Sequence, residues 1–247
     1  MKIVVIGGTG LIGSSVVANL TRLGHVALAA APNTGVNTLT GEGLAEALAG
    51  ADIVVDVANS PKFDAAPALD FFITSGRNLL AAAEKAGVKH HVALSVVGTE
   101  RLQDSGYFRA KIAQEALIRA SSIPHSILRS TQFFPFVTGI IQAGTVGEEI
   151  HVSPAQVQPI AAPDVAAALT DVVLGAPING LIEVGGPEAF GLDRFVTRYL
   201  EAKGDGRKVV PDPKALYFGV QLEDGSLLPG VDHIHGLTTF EAWLASA

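Results

Sequence analysis

Tyr107 and Lys111 stand four positions apart in the stretch SGYFRAKIAQE, residues 105–115. At helical spacing, positions i and i+4 lie on one face, so the phenol and the ammonium can point the same way. A phenol whose pKa is near ~10 exchanges protons poorly at neutral pH unless a cation stabilises its anion. Ser95 closes the earlier apolar run HHVALSVVG. Together the three supply a hydroxyl to orient a carbonyl, a phenol to give or take its proton, and an ammonium to tune the phenol and hold ribose hydroxyls. That set is complete for hydride transfer beside a nicotinamide. The spacing by itself also fits a surface tyrosine and lysine sharing a helix face, so the surrounding elements must decide.

The first of those elements is KIVVIGGTGLIGSSVVANL, which contains Gly8-x-Gly10-x-x-Gly13 and also Gly7-x-x-Gly10-x-x-Gly13. A glycine triplet between a strand and a helix gives a tight turn, close backbone approach to a pyrophosphate, and close packing of helix on sheet. Gly7, Thr9, Gly10, Leu11, Ile12 and Gly13 are therefore read as a dinucleotide cradle at a helix N-terminus. An NAD enzyme ordinarily carries Asp or Glu after its second strand, and an NADP enzyme an Arg nearby. Here the sequence runs Ala29, Ala30, Ala31, Pro32, Asn33, Thr34. Without an acid to repel a 2′-phosphate, and with Asn33 and Thr34 able to hydrogen-bond one, NADP is favoured and NAD is the alternative. Asn33 to Gly35 also reads as a plain turn. Ala58 and Asn59, ending DIVVDVAN, stand where the adenosine side of a dinucleotide passes. Asp52 and Asp56 read as strand-edge or capping acids.

Positioning such residues requires parallel strands. The runs KIVVIG, HVALAA, DIVVDVAN, HHVALSV and HSILRS are apolar almost throughout, as strands covered on both faces are. Ala- and Leu-rich segments alternate with them: LIGSSVVANLTRLG, GEGLAEALAG, FFITSGRNLLAAAEKAG and YFRAKIAQEALIRAS. Gly24, Gly50 and Gly87 punctuate the helix ends. The expected fold class is α/β, a Rossmann-like doubly wound parallel sheet. Beyond about residue 131 the strands become less regular. There PDVAAALTDVVLG reads as a helix with Pro163 in its first turn, followed by a strand in GLIEVGG, a helix in LDRFVTRYLEAKG, a strand in RKVVP and a last helix in TTFEAWLAS. The chain is expected to be a single domain over 1–247, with 132–247 contributing a small C-terminal substrate lobe.

The opening GGTGLIG, ANSP after the third strand, Ser95 with YFRAK, and the later QPIAAPDVA and EVGGPE together resemble an atypical short-chain dehydrogenase/reductase of the NmrA-like, NAD(P)-binding kind. The resemblance covers nearly the whole chain, from residue 2 to about 200. It implies a Rossmann core with a small substrate lobe, and it matches Ser95, Tyr107 and Lys111 to the Ser-Tyr-Lys catalytic set of the wider superfamily. Many NmrA-like members lack the Tyr-Lys pair and act as quinone reductases, reductases of activated double bonds, or redox-sensing regulators. This chain keeps the pair, which favours carbonyl or alcohol chemistry with Tyr107 as general acid/base. Many also carry an Arg after the second strand, where this chain has alanines.

Phe133, Phe134 and Phe136 in LRSTQFFPF follow the fifth strand and are expected to wall an apolar pocket for a small apolar or aromatic carbonyl compound or quinone, with core packing as the alternative for each. Gln132, His151 and Gln158 read as structural more readily than as substrate contacts. With 48% hydrophobic and 17% charged residues in 247, the chain can bury a substantial core. A net charge of −7 and scattered Lys and Arg give no footprint for nucleic acid. No cysteine is present, no apolar run reaches membrane-spanning length, and no secretory segment is seen, so a soluble cytoplasmic protein is expected. His233 and His235 lack a third ligand at motif spacing, so no metal is expected. A homo-oligomer is left open.

Overall fold

A computed structural model describes residues 1–246. The chain runs β1 (Lys2–Ile6), α1 (Leu11–Arg22), β2 (Val26–Ala30), α2 (Leu44–Leu48), β3 (Ile53–Asp56), α3 (Ala65–Ala86), β4 (His90–Val96), α4 (Gly106–Ala120) and β5 (His125–Ser130). It continues through α5 (Val137–Gly144), β6 (Thr145–Val146), β7 (Glu149–Val152), β8 (Gln156–Val157), α6 (Ala162–Leu174), β9 (Gly180–Gly185), β10 (Phe190–Gly191) and α7 (Leu192–Lys203). β11 (Lys208–Pro211), β12 (Leu216–Tyr217), β13 (Val220–Gln221), β14 (Ile234–His235) and α8 (Phe240–Ser246) complete it.

Seven strands form one parallel sheet in the order β14-β9-β5-β4-β3-β1-β2. β1 shows why its run is apolar at every position. Ile3 and Val5 pack with α1 and α6 on one face, while Val4 and Ile6 pack with α2 and α3 on the other. A period-two strand covered on both sides buries all its side chains. The crossovers leave β1 towards β2 on one side and β3 on the other, so the sheet has its topological switch point between β1 and β3, where ligands of such sheets bind. All five expected core strands are present, and Gly24, Gly50 and Gly87 take left-handed conformations at helix ends as expected. α3 begins at Ala65, earlier than the apolar periodicity indicated, because its first turn is exposed and carries no core signal.

The C-terminal half divides its residues between two tasks. α6, β9 and β14 return to the main sheet, and α6 packs beside α1. The remainder builds a second core around Phe134, Ile150, Phe195, Tyr217 and Phe240, with the small sheet β11-β7-β6 and the pairs β10-β8 and β12-β13 at its edges. Among the described residues no helix is long and apolar enough to cross a membrane.

Candidate active site

The glycine-rich turn lies at the carboxyl end of β1 in the predicted strand-turn-helix context. Gly13 packs against the turn itself, and a Cβ there would come within 2.2 Å of Gly7 O and 2.7 Å of Gly8 Cα. Gly10, the helix N-cap, is exposed, and a Cβ on it would meet only Gly7 O, at 3.3 Å. The first intrahelical bond runs from Ser14 N to Gly10 O at 2.9 Å. The amides of Leu11, Ile12 and Gly13 therefore precede the helix ladder and have no acceptor within it. An open glycine beside free amides at the positive end of a helix fits a diphosphate.

The loops after β2 and β3 flank this turn. Thr9 Oγ1 donates to Asn33 Oδ1 at 3.2 Å, bringing the exposed Asn33 side chain to the turn. Thr34 is occupied otherwise: its hydroxyl accepts from Ala31 N at 2.9 Å and lies 3.1 Å from Ala29 O and 3.0 Å from Ala31 O, closing the short turn Pro32–Thr34. For Thr34 the turn reading accounts for the side chain. On the other side, Gly7 has φ +77° and its Cα packs against the backbone of Ala58, so the two predicted cofactor segments line one crevice.

Tyr107 reaches that crevice from the first turn of α4. Its hydroxyl donates to Asn59 Oδ1 at 3.0 Å. Its ring is held by Phe63 at 5.3 Å, Phe72 at 6.1 Å and Phe108 at 6.0 Å between centroids. Burial pushes the phenol up to about 12, partly offset by the bond to Asn59, so the proton stays on the oxygen at neutral pH.

Lys111 shares the helix with Tyr107 but turns inward. Its Nζ donates to Leu94 O at 3.0 Å and to Gln114 Oε1, and it lies 4.5 Å from the centre of the Phe72 ring. Gln114 Nε2 donates to Asp56 Oδ2 at 2.9 Å, and Asp56 Oδ1 accepts from Ala58 N at 3.1 Å. A buried relay therefore runs from Lys111 through Gln114 and Asp56 to the backbone beside the glycine turn. Burial lowers Lys111 to about 8, against the pull of Asp56 and Glu115, and burial raises Asp56. The expected role of the lysine in lowering the tyrosine finds no counterpart in the forces on Tyr107, which are burial and Asn59. Asp56 thus caps the backbone at Ala58, as a strand-edge or capping acid does, and in addition accepts from Gln114, a residue that sequence reasoning does not single out. A Gln one turn after the Lys on α4 was the available signal.

Removing one member of a buried charged pair costs about 3–5 kcal/mol. Lys111→Met should lose about that much in denaturant unfolding, and adding Asp56→Asn should restore part of it. The pH dependence has a definite sign. With Lys111 at about 8 folded and 10.5 when free, the unfolded chain binds more protons between those values, so this group's contribution to stability rises with pH across that window. Wild-type stability should rise between about pH 8 and 10.5 relative to its value at pH 7, a rise absent from Lys111→Met, so the gap between the two should widen across that window.

Ser95 is not brought to Tyr107 by a hydrogen bond. Its buried hydroxyl donates to Glu115 Oε1 at 2.7 Å, and Glu115 also accepts from Arg129 Nε at 2.9 Å, Arg129 Nη2 at 2.8 Å and Arg119 Nη2 at 2.9 Å. The strand's alternation aims Ser95 under α4 into this ion network, which a reading of position along the strand alone misses. The phenylalanines also separate. Phe134 is 1% exposed and packs against Phe195, Phe240 and Trp243, so it is a core residue and no substrate wall. Phe133 is half-buried against the main core. Phe136 is exposed and its ring packs tilted against that of Phe218, 5.1 Å between centroids. Consecutive residues on an irregular segment face different ways, so no single face collects all three. His233 is held by Gln158 at 3.0 Å and Gly230 O at 2.6 Å, as a loop histidine. Asp52 accepts from Lys2 N at 3.0 Å and pairs with Lys89 at 2.9 Å, as a strand-edge acid.

Residues 7–174, which span the turn, the switch-point crevice and α4, match the NAD(P)H-binding family. The chain belongs to the NAD(P)H-binding family. Comparison with curated proteins gives no match. Solved structures share the fold of this family member over its full length. MoeE5 in complex with UDP-glucose and NAD is 19% identical, with a TM-score of 0.73 over 99% of this chain and 96% of that one. A short-chain dehydrogenase/reductase superfamily protein from Agrobacterium tumefaciens with bound NAD is 17% identical, with a TM-score of 0.72 over 100% and 95%. An NADPH-dependent quinone oxidoreductase, QOR2, from Escherichia coli is 18% identical, with a TM-score of 0.73 over 99% and 98%. The NmrA-like, short-chain dehydrogenase/reductase resemblance read from the sequence agrees with this family and this fold. The open turn at Gly10 fits the nucleotide that the family binds.

Proposed function

We propose that the chain is an NAD(P)-dependent reductase of a carbonyl group on a small apolar or aromatic compound, with Tyr107 as the proton donor. The observation that carries this reading is the phenol of Tyr107 hydrogen-bonded to Asn59 in the crevice that opens on the glycine turn. The amides of Leu11, Ile12 and Gly13 would hold the diphosphate, and Asn33, Ala58 and Asn59 would border the rest of the nucleotide. When bound, the nicotinamide supplies hydride chemistry.

The chain's own residues handle orientation and the proton. A phenol held near 12 keeps its proton at neutral pH and still donates downhill to an alkoxide, whereas as a base it is almost never ionised. The phenol thus serves as the donor when hydride moves to a carbonyl. Asn59 holds the hydroxyl in place, and displacement of that acceptor by a substrate oxygen frees the proton for transfer. Lys111 holds the loop at Ala58 through Gln114 and Asp56, and the segment after β5, with Phe136 at its exposed end, borders the substrate. We assign the small lobe formed within residues 132–247 to substrate binding.

A second reading rests on the inward turn of Lys111. Without a cation beside the phenol, the site suits an acceptor that needs little acid help, such as a quinone. The test is oxidation of NADPH and NADH followed optically with aromatic aldehydes, ketones and quinones as acceptors. Turnover on carbonyls supports the first reading and turnover confined to quinones the second. Tight nucleotide binding with no turnover across the panel would instead mark a redox-sensing binding protein.

NADP is the favoured nucleotide, since β2 ends in alanines and the sequence from there to Gly41 carries no Asp or Glu to repel a phosphate. Asn33→Asp places one there and should weaken NADP relative to NAD by about tenfold or more at low salt, an effect that shrinks as salt rises. Titration calorimetry with both nucleotides checks this. Equal changes for the two would remove Asn33 from the 2′-phosphate site.

A further inference from the structure

A cavity of about 570 Å³ opens in the small lobe between α5 and α7, and none of the crevice residues lines it. That volume suits a small molecule. α7 turns Leu192, Phe195, Val196 and Leu200 into the second core. Tyr199 and Lys203 stand four positions apart at the edge of that buried stripe, share one helix face, and line the cavity. Leu200 and Ile141 are 3% and 7% exposed and form its apolar floor. The Tyr199 ring is held by stacking on Trp243, 6.3 Å between centroids, and Lys203 Nζ lies 5.9 Å from the centre of the same ring.

Past Lys203 the helix stops at Gly204, whose φ of +67° is the left-handed conformation of a helix end. Asp205 N donates back to Leu200 O at 2.9 Å, and the turn brings Asp205 and Arg207 to the cavity. Arg207 gives Nε and Nη2 to the Asp205 carboxylate, at 3.1 and 2.7 Å, and keeps Nη1 without a partner among the described residues. The facing wall has spent its hydroxyls on backbone: Thr138 Oγ1 donates to Pro135 O at 3.0 Å and Thr145 Oγ1 to Ile141 O at 2.6 Å. The Gln142 amide and the Tyr199 hydroxyl have no hydrogen-bond partner among the described residues. Lys203 and Arg207 against Asp205 leave the lining one positive charge in excess, in a chain of net charge −7. The complementary ligand has a flat apolar body for the floor and the tyrosine ring, and one anionic group that only accepts. A carboxylate is such a group, and its fork matches a guanidinium.

We propose that this cavity is a second small-molecule site, separate from the nucleotide crevice, and that it takes a small aromatic monocarboxylate. The proposal does not depend on which acceptor the nucleotide reduces. The test is titration calorimetry of 2-naphthoate into the full-length chain saturated with NADPH, at low salt. One molecule should bind per chain with a Kd of about 1 mM or tighter, the affinity expected of a ligand of this size. Naphthalene-2-carboxamide, the same body without the charge, should bind about fivefold or more weakly. Lys203→Gln and Arg207→Gln should each weaken 2-naphthoate by about 3-fold to 10-fold, and by less as salt rises, because both cations are exposed. Gln142→Trp, at an exposed position of α5, fills the cavity and should abolish binding while the melting temperature stays at the wild-type value. No binding by wild type, equal binding of the uncharged amide, or binding untouched by Gln142→Trp would each overturn the proposal. If the chain takes up no NADPH, the nucleotide reading fails, and the same three results on the protein alone decide the cavity.

Discussion

Tyr107→Phe should lower kcat by about 10²- to 10⁴-fold, the usual contribution of a positioned proton donor, while NADPH affinity stays within about twofold. The substitution is clean because the ring's neighbours Phe63, Phe72 and Phe108 contact carbon atoms that phenylalanine retains. The one bond lost is to Asn59, whose exposed side chain finds water in its place, so stability should change little. Loss should also appear equally in kcat and kcat/KM, since the proton moves only in the transition state. Stopped-flow measurement of NADPH oxidation with an aromatic aldehyde separates this step from binding. If aldehyde turnover persists in the variant, Tyr107 is not the donor. If only quinone turnover persists, the two activities share a nucleotide site but not an acid.

The glycine turn gives the second large effect, as a contrast between two neighbouring positions. Gly13→Ala would force a methyl group to 2.2 Å from Gly7 O, with Gly8 Cα close behind, and both obstacles are backbone. No side chain can rotate away, so the cost should reach at least about 3 kcal/mol, the upper part of the range for overpacking. Thermal unfolding would show it before any nucleotide is added. The Cβ of Gly10→Val meets Gly7 O alone, at 3.3 Å, so this variant should fold with a midpoint much nearer wild type than that of Gly13→Ala. Its branched side chain instead fills the side of the turn left open for a diphosphate. NADPH affinity should fall on the order of 100-fold, equivalent to about 2.7 kcal/mol. A Gly10→Val protein that binds normally would place the nucleotide elsewhere.

These variants show where sequence and structure carried different parts of the account. The five core strands, the helices between them and the turn at Gly7–Gly13 were legible because each rests on local rules: apolar runs for covered strands, caps at helix ends, glycines where backbones must meet. Tyr107 and Lys111 were legible as a pair on one helix, and Ala58 and Asn59 as the end of β3. The direction in which each polar side chain is spent was not. Ser95 looked free because it ends a strand, yet the arginine and glutamate that enclose it come from β5 and α4. Lys111 looked like the partner of Tyr107, yet the carbonyl of Leu94 and Gln114, itself bonded to a buried carboxylate from β3, hold it.

By itself the sequence determined an NAD(P)-type Rossmann core and which helix faces its switch point, because period-two and period-3.6 patterns and glycine spacing are properties of neighbouring residues. Tertiary structure alone decided that Phe134 is core, that Gln114 joins the lysine to Asp56, and that the Ser95 hydroxyl is given to Glu115. Those outcomes depend on contacts between segments far apart in the chain, where burial and the competition for hydrogen-bond partners, rather than spacing, select each neighbour.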